Sequence, residues 1–158
     1  MLYIGRFLIF ILAVSIYVDC LALEETVTVP AEEPTGIIVE LPSGKYTAQI
    51  ESGAVALHFP IHTDYRWLYA VSIGTGVDGE QDEPNIGRLY TDPEPAVFTQ
   101  TEAEEAAIAA LKEEKEGTKI NFQIENTSKV RFWISDYDYS DNTGSLKVKI
   151  MSINVNDQ

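Results

Sequence analysis

Short runs of alternating apolar and polar residues recur along most of the chain. Residues 37–41 (IIVEL) and 45–50 (KYTAQI) are two such runs separated by Pro-Ser-Gly, and a turn is predicted after them at Ser52 and Gly53. Further β-type runs cover residues 54–59, 67–73, 88–90, 96–98, 120–125, 130–134 and 146–150. Short strands separated by turn signals predict an all-β fold of the β-sandwich type.

One segment, residues 101–115 (TEAEEAAIAALKEEK), has a different pattern. Alanine and glutamate dominate it, acidic residues come first and lysines last, and Gly117 follows, which together predict an α-helix. Its apolar residues Ala107, Ile108 and Leu111 are predicted to lie on one face against a sheet. Since the segment spans fewer than three heptads, it is interpreted as a single packed helix inserted among the strands and not as a coiled coil.

The N-terminal residues 1–22 have the pattern of a secretory signal peptide. Arg6 precedes an apolar stretch at 7–18, and Cys20 and Ala22 are small residues at the −3 and −1 positions of a cleavage site. The apolar stretch is shorter than the about 20 residues that a membrane span needs. Cleavage after Ala22 and export, to a secreted or periplasmic location, are predicted, with an uncleaved anchor as the alternative.

The single cysteine, Cys20, excludes a disulfide framework. Its position at the end of the apolar stretch suggests lipid attachment, but Asp19 precedes it where bacterial lipoprotein signals have Gly, Ala or Ser, so lipidation is the less favoured alternative. Residues 23–36 contain two prolines and four glutamates and are predicted to be an acidic lead-in outside the core. The folded domain is then predicted to cover residues 37–158.

The charge of the chain restricts its partners. It contains 25 acidic against 11 basic residues, a formal net charge of −14, which argues against nucleic acid because phosphates would be repelled. The sequence contains no Gly-x-Ser-x-Gly motif and no phosphate loop. We therefore expect a non-catalytic protein, with no membrane contact beyond export, whose acidic groups either bind a divalent cation or keep the protein soluble.

Residues 135–145, SDYDYSDNTGS, concentrate oxygen ligands between two predicted strands. Asp136, Asp138, Asp141 and Asn142 lie within seven residues, and carboxylate and amide oxygens are the ligands that calcium prefers. An EF-hand is excluded because Asp141 replaces the glycine at its sixth place and Lys147 the glutamate at its twelfth. Two interpretations stay open, a calcium site and a hairpin turn that exposes its carboxylates to water.

The stretch KVRFWISDYDYSDNTGSLKVKI, residues 129–150, resembles the C-terminal hairpin of the small galactose-specific, calcium-dependent bacterial lectins. The resemblance implies a galactose-binding-like β-sandwich (jelly roll) and calcium bound by side chains of Asp136, Asp141 and Asn142. A backbone carbonyl of Tyr139 or Asp138 would complete the site. In those lectins the metal itself coordinates sugar hydroxyls, so the implied partner is a carbohydrate or glycoconjugate.

The sugar-contacting segment of those lectins, His-Pro-x-Gln-Gly, corresponds here to residues 83–87, EPNIG, with Glu83 for His and Ile86 for Gln. The predicted ligand-binding residues are Glu83, Asn85, Asp136, Tyr137 and Asp138, with Tyr137 as a candidate for stacking on a sugar. The two substitutions favour a second hypothesis, an exported structural or interaction domain in which calcium only rigidifies the loop.

Overall fold

The computed structural model describes residues 23–57, 66–75, 85–93 and 99–153. Eight antiparallel strands form a nearly closed, barrel-like sandwich, and one helix packs on it. The prediction of an all-β sandwich with one helix is therefore confirmed. The predicted signal peptide (1–22) and the predicted strand at 96–98 lie outside the described residues.

The elements in chain order are β1 (Glu24–Pro30), β2 (Ile37–Leu41), β3 (Gly44–Leu57), β4 (Arg66–Thr75), β5 (Gly87–Thr91), α1 (Gln100–Lys112), β6 (Lys119–Ile124), β7 (Ser128–Trp133) and β8 (Thr143–Ser152). Adjacent strands follow the order β1-β8-β3-β4-β7-β2, while β5 pairs with β4 and β6 pairs with β3. The two ends of this path, β1 and β2, are consecutive in the chain, so the turn at 31–36 connects the two sides of the sandwich.

Strand β3 is the longest element and connects the two halves of the sheet. It pairs with β8 along one edge, and with β6 and then β4 along the other. The predicted turn at Ser52 and Gly53 is wrong, because the strand continues through it. The register against β8 shifts between Ile50 and Ser52, and Gly53 has φ +88°, so these residues form a bulge that bends the strand.

Residues 24–30 contradict the prediction that 23–36 is a lead-in outside the core. They form β1, which pairs with β8 from Glu24 opposite Met151 to Pro30 opposite Ser145. Val27 and Val29 alternate with exposed threonines, and their side chains are buried in the core. The two valines are therefore core residues, and the folded unit begins before residue 37.

Helix α1 begins close to its predicted start and ends at Lys112, earlier than the predicted end at Lys115. Thr99 is its N-cap, because the Thr99 hydroxyl accepts a hydrogen bond from the backbone N–H of Glu102 at 3.3 Å and donates one to the Glu102 carboxylate at 2.7 Å. The helix contacts β3, β4 and β5. None of the described residues belongs to a helix long and apolar enough to cross a membrane.

The buried face of α1 includes Ala107, as predicted, but differs from the predicted face at its other positions. Ala103, Ala107 and Ala110 are buried, whereas Ile108 and Leu111 are only partly buried. Three small side chains at this spacing share one face and let the helix backbone approach the sheet closely. The helix is therefore positioned by its alanines and not by its larger apolar residues.

We expect Val29→Ala to lower the free energy of unfolding by about 2 kcal/mol, because it removes buried methyl groups from the core. Thr28→Ala, at the exposed neighbouring position of β1, should change it by less than about 1 kcal/mol. Urea denaturation of both variants measures the difference. Equal effects of the two substitutions would show that β1 does not contribute to the core.

Candidate functional site

The loop between β7 and β8, residues 134–142, is fixed at both ends by buried residues. Ile134 follows β7 and is fully buried, and Leu146 in β8 is fully buried as well. Strand β8 pairs with β1 on one side and with β3 on the other, so the point where the loop ends is determined by two neighbouring strands. The loop therefore extends from a rigid part of the sandwich.

Two local interactions fold the loop back on itself. The phenol of Tyr139 donates a hydrogen bond of 2.7 Å to the carbonyl oxygen of Ile134. One 3-10 turn covers residues 139–141, and Asp138 caps it by accepting hydrogen bonds from the backbone N–H and the hydroxyl of Ser140, at 3.0 and 2.6 Å. The hydroxyl of Ser140, and then its backbone N–H, lower the pKa of the exposed Asp138 carboxyl.

The predicted calcium ligands have unpaired oxygens in this loop. In the described part of the chain, four buried side-chain polar atoms lack a hydrogen-bond partner, and they are Oδ2 of Asp136, Oδ1 of Asp141, Oδ1 of Asn142 and Oγ1 of Thr91. Three of these four therefore belong to the three side chains predicted to bind calcium. A buried acceptor without a partner costs about 1–3 kcal/mol, and more if it is charged, so these oxygens require a cation, a proton donor or water.

The other polar atoms of two of these side chains have partners within the protein. The second carboxylate oxygen of Asp136 accepts a 2.7 Å hydrogen bond from the backbone N–H of Tyr137. Asn142 is only 4% exposed, and its amide nitrogen donates to the carbonyl oxygen of Ala31 at 3.3 Å. This contact orients the Asn142 side chain, since the nitrogen must face Ala31 and the unpaired oxygen must face away from it.

Residue Ala31, directly after β1, connects that strand to the loop. Its backbone N–H donates to the carbonyl of Gly144 at 3.0 Å, and its own carbonyl accepts from Asn142. Gly144 has φ +97°, and a Cβ at this position would collide with the carbonyl oxygen of Ala54 and lie 3.1 Å from the ring of Trp67. The sequence alone does not identify Ala31 as part of the site, because the contact depends on the pairing of β1 with β8.

The donor set fits a hard divalent cation. Asp136 and Asp141 would supply two negative charges and Asn142 a neutral oxygen, and calcium takes six to eight oxygen ligands that include backbone carbonyls and water. Among the described residues, no group of three or more His, Cys, Asp or Glu side chains is arranged to hold a metal ion. A cation here would therefore depend on the Asn142 amide and on backbone oxygens, as the prediction for Tyr139 requires.

The predicted contacts of the second loop are placed only in part. Glu83 lies outside the described residues. Asn85 lies just before β5, where its side-chain carbonyl oxygen accepts from the backbone N–H of Thr75 at 2.7 Å and its amide donates to the Thr75 hydroxyl at 2.8 Å. These bonds connect the end of β4 to the start of β5. Asn85 thus has a structural role, and its predicted contact with a ligand stays a prediction.

The two tyrosines of the hairpin loop differ in orientation. The Tyr137 side chain is fully exposed, while Tyr139 is partly buried through its contact with Ile134. Tyr137 is therefore the aromatic side chain of this loop that a ligand can reach. A neighbouring cavity that reaches Ser135 cannot be identified from the sequence, because its walls come from strands distant in sequence.

Comparison of the chain with family models, with curated proteins and with solved structures gave no match.

We expect Gly144→Ala to lower the free energy of unfolding by at least about 2 kcal/mol, because it combines a positive φ with a backbone collision. Gly44→Ala is the matched control. Gly44 starts β3, and a Cβ there would meet the Tyr46 ring at an ordinary 3.4 Å, so a change below about 1 kcal/mol is expected. Chemical denaturation distinguishes the two, and a harmless Gly144→Ala would contradict the loop geometry.

Proposed function

We propose that this protein is an exported, non-catalytic, calcium-dependent carbohydrate-binding module. The observation that carries the proposal is the set of unpaired buried oxygens on Asp136, Asp141 and Asn142. The resemblance of residues 129–150 to calcium-dependent lectins implies the same three side chains as ligands, and the two arguments are independent. A backbone carbonyl, that of Tyr139, is the proposed fourth protein ligand.

Calcium suits this loop for reasons of charge and rigidity. Two carboxylates balance the charge of one divalent ion, and without it they would repel each other. The loop is fixed by strands at both ends and by the contact between Asn142 and Ala31, so gathering the ligands costs little conformational entropy. Since each ligand is a hard oxygen, calcium is favoured over a soft transition metal.

The exposed side of the loop is the proposed sugar-binding surface. Tyr137 presents a free aromatic ring, and it lies between Asp136 and Asp138, whose carboxylates accept hydrogen bonds from hydroxyls. Glu83 and Asn85 of the second loop are proposed as further polar contacts. The calcium ion would supply open coordination positions for sugar hydroxyls, as in the lectins that the hairpin resembles.

The contact between Asn142 and Ala31 supports a second candidate function. Through it the loop connects β1 to the β7–β8 hairpin, so a cation could act only by fixing these strands. The protein would then be a structural or interaction domain, in which calcium changes stability without binding a sugar.

Calcium is expected to raise the melting temperature of the protein relative to excess EDTA. With a dissociation constant of about 10 μM and about 1 mM calcium, the gain in the free energy of unfolding is about 2.7 kcal/mol. For a domain of this size that corresponds to a rise of about 5–10 °C. Asp136→Asn and Asp141→Asn should each lose most of the rise, because each removes one ligand charge.

Asp138→Asn is the matched control in the same loop. The Asp138 side chain is exposed, and it accepts its hydrogen bonds from Ser140. The amide oxygen of an asparagine can accept the same bonds, so this variant should keep most of the rise in melting temperature. If the melting temperature of the unsubstituted protein does not rise up to millimolar calcium, residues 135–145 are a solvated turn. If all three variants lost the calcium-dependent rise equally, the effect of calcium would depend on the overall charge of the loop and not on specific ligands.

A glycan array probed with calcium and with EDTA separates the two candidate functions. Binding that requires calcium and is lost in Asp141→Asn is expected if the metal takes part in sugar recognition. Tyr137→Ala should weaken that binding by about tenfold without changing the calcium-dependent melting temperature, because it removes only the stacking surface. A calcium-dependent rise in stability with no glycan bound would favour the structural candidate.

A further inference from the structure

A cavity of about 400 Å³ lies on the outward face of β4 and β5. Along β4, the alternate residues 66, 68, 70 and 72 line it, with the fully buried core residues Tyr69, Val71 and Ile73 between or after them. The lining residues Leu57, Leu68 and Ser72 are buried as well, so the cavity reaches down to the core. Along β5 it is lined by Arg88, Tyr90 and Asp92. Its volume falls in the range of small-ligand sites.

The pairing of the strands brings two arginines to this cavity. Leu57 at the end of β3 is opposite Arg66, Ser72 is opposite Arg88, and Tyr90 is opposite Ala70. The Nε atom of Arg88 donates to the hydroxyl of Ser72 at 3.4 Å, a long contact that leaves its terminal nitrogens for other partners. Burial and Asp92 raise the pKa of the Tyr90 phenol, whereas both guanidinium groups favour its ionisation and so act to lower that pKa by a smaller amount. All three side chains, Arg66, Arg88 and Tyr90, line the same cavity.

Neither arginine belongs to an ion pair within the part of the chain that the structure describes. The ion pairs there are Lys115–Glu113, Lys119–Glu114 and Lys149–Glu24. The lining has two arginines and one carboxylate, that of Asp92, among its described residues, so its formal charge is positive in a protein with 25 acidic residues, which favours an anionic group.

The other residues that line the cavity indicate which kind of molecule carries the anionic group. The Tyr90 ring is 42% exposed, and Leu57, Leu68 and Ala70 give an apolar floor, which suits the C–H face of a sugar ring. Burial most of all, followed by the interaction with the Asp92 carboxylate, raises the pKa of Tyr90. Asp92 would repel a doubly charged phosphate more strongly than a singly charged carboxylate, and it can accept hydrogen bonds from hydroxyl groups.

We propose that this cavity binds a monosaccharide unit carrying a carboxylate, of the hexuronic acid type, through Arg66 and Arg88. Tyr90 packs against the ring, and Asp92 and the Ser72 and Ser135 hydroxyls form hydrogen bonds with its hydroxyl groups. The site is separate from the calcium loop and does not need the metal, although Ser135 lies directly before Asp136. The proposal for this cavity does not depend on the existence of the proposed calcium site.

The test is a calorimetric titration of the full protein with D-galacturonate in excess EDTA, compared with D-galactose, the methyl ester of galacturonate and inorganic phosphate. Galacturonate is expected to bind with a millimolar or lower dissociation constant, at least about tenfold more tightly than the neutral sugar and the ester. Arg66→Gln and Arg88→Gln should each weaken it by about tenfold or more, and Arg88→Lys by less.

Arg131→Gln is the matched control for net charge. Arg131 lies on the same face of the sheet, but its guanidinium donates to the carbonyls of Thr35 and Pro34 and stacks over Trp133, away from the cavity. The Arg131→Gln variant should leave the affinity for galacturonate unchanged. Thermal melts of all variants test whether each one is folded.

Four outcomes of the titrations in EDTA would overturn the proposal. They are absence of galacturonate binding at about 20 mM, equal binding of the neutral ester, tighter binding of phosphate, and an equal loss of affinity in Arg131→Gln. Binding of galacturonate only in the presence of calcium would also overturn it, because the ligand would then occupy the hairpin loop. If calcium does not raise the melting temperature, the galacturonate binding expected in EDTA is unaffected, so each proposal can be contradicted without the other.

Discussion

The pairing of β8 with both β1 and β3 is the interaction on which the rest of the molecule depends. Its inward residues Leu146, Val148 and Ile150 are fully buried, and their register fixes where the strand begins. Since the hairpin loop ends at that point, the position of Asn142 follows from the packing of the core. A Cβ at position 144 would collide with the carbonyl oxygen of Ala54, so this close pairing of β8 with β3 requires a glycine there.

The sequence predicts the strand-rich fold well where alternation is regular and local. It fails at β1, because the prolines and glutamates around it have the composition of a linker, and only Val27 and Val29 carry the inward pattern. It also fails at Gly53, since a glycine in a bulge and a glycine in a turn look alike locally. The difference is decided by β8, which comes about 90 residues later in the chain.

Helix α1 shows that the size and hydrophobicity of side chains do not by themselves predict which face of a helix is buried. The prediction places Ala107, Ile108 and Leu111 against the sheet, but the buried residues of the helix are Ala103, Ala107 and Ala110. In the candidate site, the three side chains with unpaired oxygens lie close together in sequence, and local reasoning identified them. The cavity lined by Arg66 and Arg88 could not be predicted from local patterns, because these residues line one cavity only through the pairing of β4 with β3 and β5.

The position of β1 has a consequence for the order in which the protein can fold. The contact of Asn142 with Ala31 joins residues 111 positions apart, and β1 finds its hydrogen-bonding partner only in β8. Until residues 143–152 have been synthesised, the first strand therefore has no edge to pair with, and the valines it carries remain without a core. Nascent chains of this protein must stay incompletely folded until synthesis reaches β8, and high contact order then makes closure of the sandwich a slow step.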